Sequence, residues 1–314
     1  MRPLPWGTVD RRAFLAAVPL GALTACTATD TRSAPPVSTP ATEAPALSTS
    51  TTTSNSNTVE PAAEPTEQPT RLPDSPPTPT AKAGSPPTAV AARYAGRKPS
   101  TWGMDVQGID ATVPAAGGRT LALTFDACGG PGGSRIDTGL VDLLRRNHVP
   151  ATLFLNQRWV QSNRAYAEQL VADPLFRIGN HGTRHLPLSV SGRSAYGVIG
   201  TRSAQEVVDE VWGNHEYLRS LTGQAPTWFR CGTAHYDEVA VAIVRDLGYR
   251  VAGFATNGDS GATFTAAQVT SALTHAASGI VIMHMNQPGR GTMPGVAAAL
   301  PTLKAAGTTF VHLT

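Results

Sequence analysis

Short apolar runs recur along the C-terminal two thirds of the chain, separated by segments with helical spacing. Strand-like runs fall at 121–125, 152–155, 176–179, 228–229, 251–255, 280–283 and 309–313. Between them the apolar positions change period. Leu140, Leu143 and Leu144 lie on one helical face within 137–147, and Val207, Val208, Val211 and Leu218 do the same within 203–221. Further helical patterns cover 237–247, 265–277 and 294–306, and Gly248 and Gly307 read as helix stops. Strand and helix alternate almost throughout. That order predicts a parallel sheet with crossover helices, either open or closed into a barrel. The segment 186–201 has no clear period, is rich in Gly and Ser, and reads as a long loop on the functional rim.

Composition divides the chain of 314 residues. Residues 27–100 are mostly Pro, Thr, Ser and Ala, too poor in large apolar side chains to offset the entropy of ordering. This stretch is expected to be a disordered tether, and 101–314 a single globular domain. The formal net charge of +3 is too small to imply a nucleic-acid partner.

The N-terminus reads as an address. Asp10-Arg11-Arg12-Ala13-Phe14-Leu15 resembles a twin-arginine export signal, and the apolar stretch 13–25 is too short to span a membrane. It ends in Leu23-Thr24-Ala25-Cys26, which resembles a bacterial lipobox, so residues 1–26 are expected to direct export and lipidation of Cys26. The protein is then expected at the outer face of the cytoplasmic membrane, facing the cell wall. A Pro-rich tether rises about 3.1 Å per residue and would reach on the order of 200 Å when extended. Two cysteines, Cys128 and Cys231, remain for the oxidising compartment.

Chemistry collects at the C-terminal ends of strands in parallel β/α folds. Asp126, Asn156, His181, Arg230 and His284 end five of the strand-like runs, and Asn257 and Asp259 follow another. A purely structural chain needs no ionisable group at so many of these positions. Within this set, His181-Gly-Thr-Arg-His185 presents two imidazoles four residues apart, which can hold one metal ion.

These residues resemble the polysaccharide deacetylase family, also called the NodB-homology domain or carbohydrate esterase family 4. The resemblance spans 119–314 and rests on Thr124-Phe125-Asp126, His181-Gly-Thr-Arg-His185, Phe229-Arg230 and Ile280-Val-Ile-Met-His284, in that order. It implies a distorted (β/α)7 barrel. It also implies removal of N-acetyl groups from amino sugars or O-acetyl groups from xylan, commonly with a divalent metal, for which zinc is the expectation. By the same resemblance Asp126 is the general base and Arg230 orients it. His181 and His185 are metal ligands, His284 is the general acid, and Asp259 tunes His284. Ile282 lines the acetyl pocket. An Asn-Gly-Asp turn residue is an equal reading of Asp259, and a plain buried strand residue an equal reading of Ile282.

The pattern breaks at two places. Ala127 stands where the family usually has a second aspartate that binds the metal. Asp126, Cys128 or His235 are alternative third ligands, or no metal binds tightly. After Arg230 the chain reads Cys231-Gly-Thr-Ala-His235, where the family usually has prolines and a tyrosine-glycine turn, so both deviations introduce a cysteine near the site. A Cys128–Cys231 disulfide across the barrel mouth is one expectation, thiolate ligation by Cys128 a second, and two idle thiols a third; the first two exclude each other.

Gly129-Gly-Pro-Gly-Gly133 lacks the Lys-Ser/Thr of a phosphate loop. Trp102, Trp159, Trp212 and Trp228 are not assigned to substrate. The reading is an exported, monomeric, metal-dependent deacetylase of an acetylated cell-envelope polysaccharide such as peptidoglycan. Its rivals are an O-acetyl esterase, a degenerate glycan-binding barrel and a metal-independent amidase.

Overall fold

The computed structural model describes residues 84–114 and 117–314, all within one compact unit, Leu72–Thr314. The export signal, the lipobox with Cys26 and residues 27–83 of the expected tether lie outside the described residues.

The chain runs through α1 (Pro87–Tyr94), β1 (Ile109–Asp110), β2 (Thr120–Ala127), α2 (Thr138–Asn147) and β3 (Ala151–Leu155). It continues through α3 (Gln157–Ser162), α4 (Arg164–Ala172), β4 (Phe176–Asn180), the hairpin β5 (Ser194–Ala195) and β6 (Val198–Ile199), and α5 (Ala204–Thr222). It closes with β7 (Trp228–Phe229), α6 (Glu238–Asp246), β8 (Arg250–Ala252), β9 (Thr256–Asn257), α7 (Ala266–Thr274), β10 (Gly279–His284), α8 (Thr292–Ala305) and β11 (Thr309–Phe310). The main sheet has the order β1-β8-β7-β4-β3-β2-β10-β9, with β11 also paired to β2, and every pairing in it is parallel. It curls into a half-barrel with the helices outside. Each of the seven strand-like runs contains a strand of this sheet, although β8 stops at Ala252 and β11 at Phe310; β1 and β9, two residues each, are additional.

The central strands are buried on both faces, which is why they read as near-continuous apolar runs. On β2 the side chains alternate. Leu121, Leu123, Phe125 and Ala127 join the core beneath the outer helices, with Leu140, Leu144, Val296 and Leu300. Ala122 faces inward with Phe154, Trp228, Ala252, Ile280 and Leu313. Four of the helices that the sequence pattern predicts begin at side-chain caps: Asp137, Ser203, Asp237 and Thr265 each accept an N–H from the first turn. Those caps stand where the periodic patterns start.

The expected boundary at Thr101 is corrected, because ordered structure begins earlier. Pro87–Tyr94 is a helix whose Val90, Ala91 and Tyr94 are buried in one cluster with residues of α5 and α6 such as Val207, Ile243 and Val244. Tyr94 Oη donates to Asp246 at 2.9 Å. The surrounding Pro/Thr/Ser composition hid a short amphipathic helix with proline in its first turn. Helices α3 and α4 were also without a clear pattern in the sequence, and the expected loop 186–201 contains the β5–β6 hairpin. Among the described residues no helix is long and apolar enough to cross a membrane.

Candidate active site

Strand register sets the site. Along the β2–β10 pairing, Ile282 stands opposite Thr124 and His284 opposite Asp126. The alternation that turns Ala122 and Ile280 inward also turns Thr124, Asp126, Ile282 and His284 inward. Asp126 and His284 therefore stand side by side on adjacent strands, roughly 4.8 Å apart in backbone spacing. Ile282, buried apart from a small exposed area, lies one pleat below His284.

Arg230 follows β7 and is fully buried. Its Nη1 donates to Asp126 Oδ1 at 2.8 Å and to Thr124 Oγ1 at 2.9 Å, and its Nη2 donates to the Gly253 carbonyl at 3.0 Å. The guanidinium lies 4.3 Å from the centroid of the Phe154 ring. Burial alone pushes the Asp126 carboxyl up. The charges of Arg230, His181 and His284 outweigh it, and the carboxyl sits below its ordinary value. Its second oxygen, Oδ2, is 3.7 Å from His181 Nε2.

His181 and His185 are brought together by a loop after β4, not by a helical turn. Gly182 has φ +76° and His185 has φ +65°. Only glycine fits at 182, since a Cβ there would meet the Glu210 carboxylate. Glu210, buried on α5, accepts N–H groups from Arg184 at 2.9 and 3.0 Å and from Leu186 at 3.2 Å. Asn156 Nδ2 donates to the His181 and Gly182 carbonyls at 2.9 and 2.8 Å. From the far side Gly232 closes on His185, where a Cβ would strike backbone and ring. His181 Nδ1 lies 2.8 Å from the Arg230 carbonyl. A carbonyl only accepts, so Nδ1 carries the proton and Nε2 is left with a lone pair.

That lone pair points into a cluster. Ligand atoms of Cys128, His181 and His185 all lie within 4.8 Å of one another. One sulfur and two imidazole nitrogens, with one imidazole already oriented through its other nitrogen, suit a divalent metal of the zinc type. Burial pushes the Cys128 thiol up, but the charge of His185 and hydrogen bonds to His181, His185 and His284 hold it well below its ordinary value.

His284 Nδ1 donates to Asp259 Oδ1 at 2.9 Å, and the His284 backbone N–H donates to Oδ2 at 2.7 Å. Thr292 Oγ1 also donates to Oδ2, at 2.9 Å. Asp259 is thus more than a turn residue. Burial depresses the basicity of His284, but the hydrogen bonds and negative charges of Asp259 and Cys128 together outweigh it and raise its pKa well above the ordinary value.

Two expectations are corrected. Cys128 and Cys231 form no disulfide; both are free thiols. Cys231 Sγ turns back to donate to the His235 carbonyl at 3.2 Å, and burial raises its pKa to about 11. Nor does His235 reach the cluster. Its Nδ1 donates to the Thr233 carbonyl at 2.7 Å, and its ring packs against Tyr196 and Trp102. The residues to which the sequence reading gave no role are Thr124, Glu210, Thr292 and Asn156. Each acts through contacts between elements far apart in the chain. Only Asn156, at a strand end, carried a signal.

The polysaccharide deacetylase family model matches residues 114–252. That match marks a polysaccharide deacetylase domain at residues 114–252. Several solved structures are similar to it. One is a peptidoglycan N-acetylglucosamine deacetylase, 19% identical, with TM-score 0.54, covering 72% of this chain and 94% of its own. A family 4 acetyl xylan esterase from Clostridium thermocellum, solved with a cobalt ion, is 23% identical with TM-score 0.50, covering 62% and 88%. A family 4 pseudoenzyme from Bacillus anthracis is 19% identical with TM-score 0.52, covering 63% of this chain and 65% of its own. At these identities the likeness establishes the fold, a (β/α) barrel of the carbohydrate esterase family 4 type. No curated protein matches the chain by sequence.

Proposed function

We propose that the protein hydrolyses acetamide groups on a polymeric amino sugar, releasing acetate and a free amine. The observation that carries this reading is the placement of Asp126 beside His284 at the strand ends, next to the Cys128, His181 and His185 cluster. When bound there, a divalent metal supplies polarisation of the acetyl carbonyl and a lowered pKa for the attacking water. Asp126 keeps Oδ1 on Arg230 and uses Oδ2 to take the proton of that water. Arg230 keeps the carboxylate ionised and fixed in direction. His284, with Nδ1 committed to Asp259, directs Nε2 at the site and protonates the departing nitrogen. Ile282 supplies apolar surface for the acetyl methyl.

The polymer is a cell-envelope glycan such as peptidoglycan. Support for this comes from the export signal, the lipobox Cys26 and the tether, which would hold the domain within reach of the wall. Acetate release from N-acetylglucosamine oligomers and from acetylated xylan, before and after metal stripping and reloading, tests the reading. Acetate from the amino-sugar oligomers alone is the expected result. Release from xylan alone would make the protein an O-acetyl esterase. Glycan binding by the reloaded protein with no acetate from either would overturn the enzymatic reading.

A further inference from the structure

Position 127 departs from the family's pattern, and its neighbour restores a donor in a different way. Ala127 follows the odd-numbered residues of β2 into the core beneath the outer helices. Its side chain is a methyl group and binds nothing. Cys128 is two residues beyond Asp126, and in an extended chain that spacing returns a side chain to the same face. Its sulfur lies 3.9 Å from His181 Nε2. His181 is 1% exposed, and its Nε2 is the free imidazole nitrogen, because Nδ1 is held by the Arg230 carbonyl. Asp126 is less available as a metal ligand, since Oδ1 is engaged by Arg230. His235 is turned toward Tyr196 and Trp102. Cys231 faces the His235 carbonyl.

We infer that Cys128 is the third protein ligand of the metal centre, making a Cys-His-His site in place of a carboxylate-His-His site. This rests on the metal-dependent reading above. A thiolate with two imidazoles favours zinc and cobalt over hard cations such as magnesium and calcium, which take oxygen ligands. Three protein ligands leave a fourth position open, as a catalytic zinc site requires. The sulfur also carries more negative charge onto the metal than an imidazole would.

The test uses the metal-free intact protein titrated with cobalt(II), read by absorption and by competition with a chromophoric chelator. The expected result is a thiolate-to-cobalt charge-transfer band in the near ultraviolet that saturates at one ion per chain. Cys128→Ser should abolish that band and weaken cobalt and zinc binding by about 100-fold or more, above the range for residues that merely support a ligand. Cys231→Ser and Cys26→Ser should keep the band, and magnesium in excess should not displace it. Cobalt binding without the band, or equal affinity in Cys128→Ser, would overturn the inference, as would no cobalt binding by the folded wild-type protein. The absorption readout does not depend on turnover. A protein that shows the band but releases no acetate would retain the ligand set and lose the deacetylase reading.

Discussion

His181 and Arg230 are joined by a 2.8 Å hydrogen bond from the imidazole Nδ1 to the arginine carbonyl. The same arginine holds Asp126 through its side chain at 2.8 Å. One residue therefore sets both the tautomer of a candidate metal ligand and the direction of the candidate base. Its own position is fixed in turn, since the Arg230 N–H donates to the Asn180 carbonyl at 2.9 Å.

Replacing Arg230 separates these duties. Arg230→Met keeps the backbone carbonyl and much of the volume but removes the cation. Asp126 is then a buried carboxylate without its partner, which costs about 3–5 kcal/mol. Urea unfolding should show a loss of unfolding free energy of that size, and activity should fall with it. Metal affinity should change little, because the carbonyl that orients His181 remains. A variant with unchanged stability would mean that Asp126 is relieved by water.

Asp259 acts through His284, and its contribution can be separated from folding. In Asp259→Asn one carboxylate oxygen becomes an NH2 group. That group opposes either the His284 backbone N–H and the Thr292 hydroxyl, which share Oδ2, or, with the amide turned over, the imidazole Nδ1–H. The imidazole loses its charged partner and its fixed direction. General acid catalysis supplies roughly 10²–10⁴-fold in rate, so kcat should drop by about 10²-fold with KM changed only slightly. A rise in KM at constant kcat would assign Asp259 to substrate binding instead.

Much of this arrangement was legible in the sequence because strand ends are local features. Asp126, His181, Arg230 and His284 each follow an apolar run, so the pattern that predicts the strand also places the residue. The alternation along β2 even indicates which side Cys128 takes, since it has the parity of Asp126. What was not legible lies between elements. Nothing near Glu210 in the sequence says that it closes the His181–His185 loop, because the contact joins α5 to the loop after β4. The disulfide expectation failed for the same reason. Proximity of two loops does not fix the direction of two thiols, and Cys231 is directed inward by its bond to the His235 carbonyl. Helix α1 was hidden by composition: three buried residues are enough to dock a short helix but too few to stand out in a Pro/Thr/Ser background.

Glu210 supports the metal loop without touching the metal. Its carboxylate is buried and faces backbone N–H groups of Arg184 and Leu186, on either side of His185. Glu210→Gln is nearly isosteric but turns an NH2 group toward one of those donors. Hydrogen bonds to charged groups are worth about 1.5–3 kcal/mol, so stability should fall within that range. The loosened loop should also weaken zinc binding by roughly 10–100-fold, as loss of a supporting contact typically does. Chelator competition on the folded variant checks this. Unchanged zinc affinity would show that the loop holds its shape through Asn156 and Gly182 alone.

A pH-dependent contact fixes the entrance to the domain. Glu238 accepts four hydrogen bonds from the backbone and side chains of Ser100 and Thr101, two to each carboxylate oxygen. Slight burial raises the carboxyl pKa, but these bonds outweigh it and lower the value from 4.5 to about 2. A carboxyl depressed by folding stabilises the folded state above its unfolded pKa, and that contribution is lost as pH falls through the folded value. The strap at Ser100 and Thr101 should therefore hold at neutral pH, weaken below 4.5 and release near pH 2. The group is exposed, so the effect on global stability should be small and the readout must be local. Hydrogen exchange at the Ser100 and Thr101 amides, corrected for intrinsic rates, should lose protection across that window in the wild type. Glu238→Gln should show weaker protection throughout and no pH dependence of its own. Protection in the wild type that is flat from pH 5 to pH 2 would mean that the strap is held by packing, with the carboxylate a bystander.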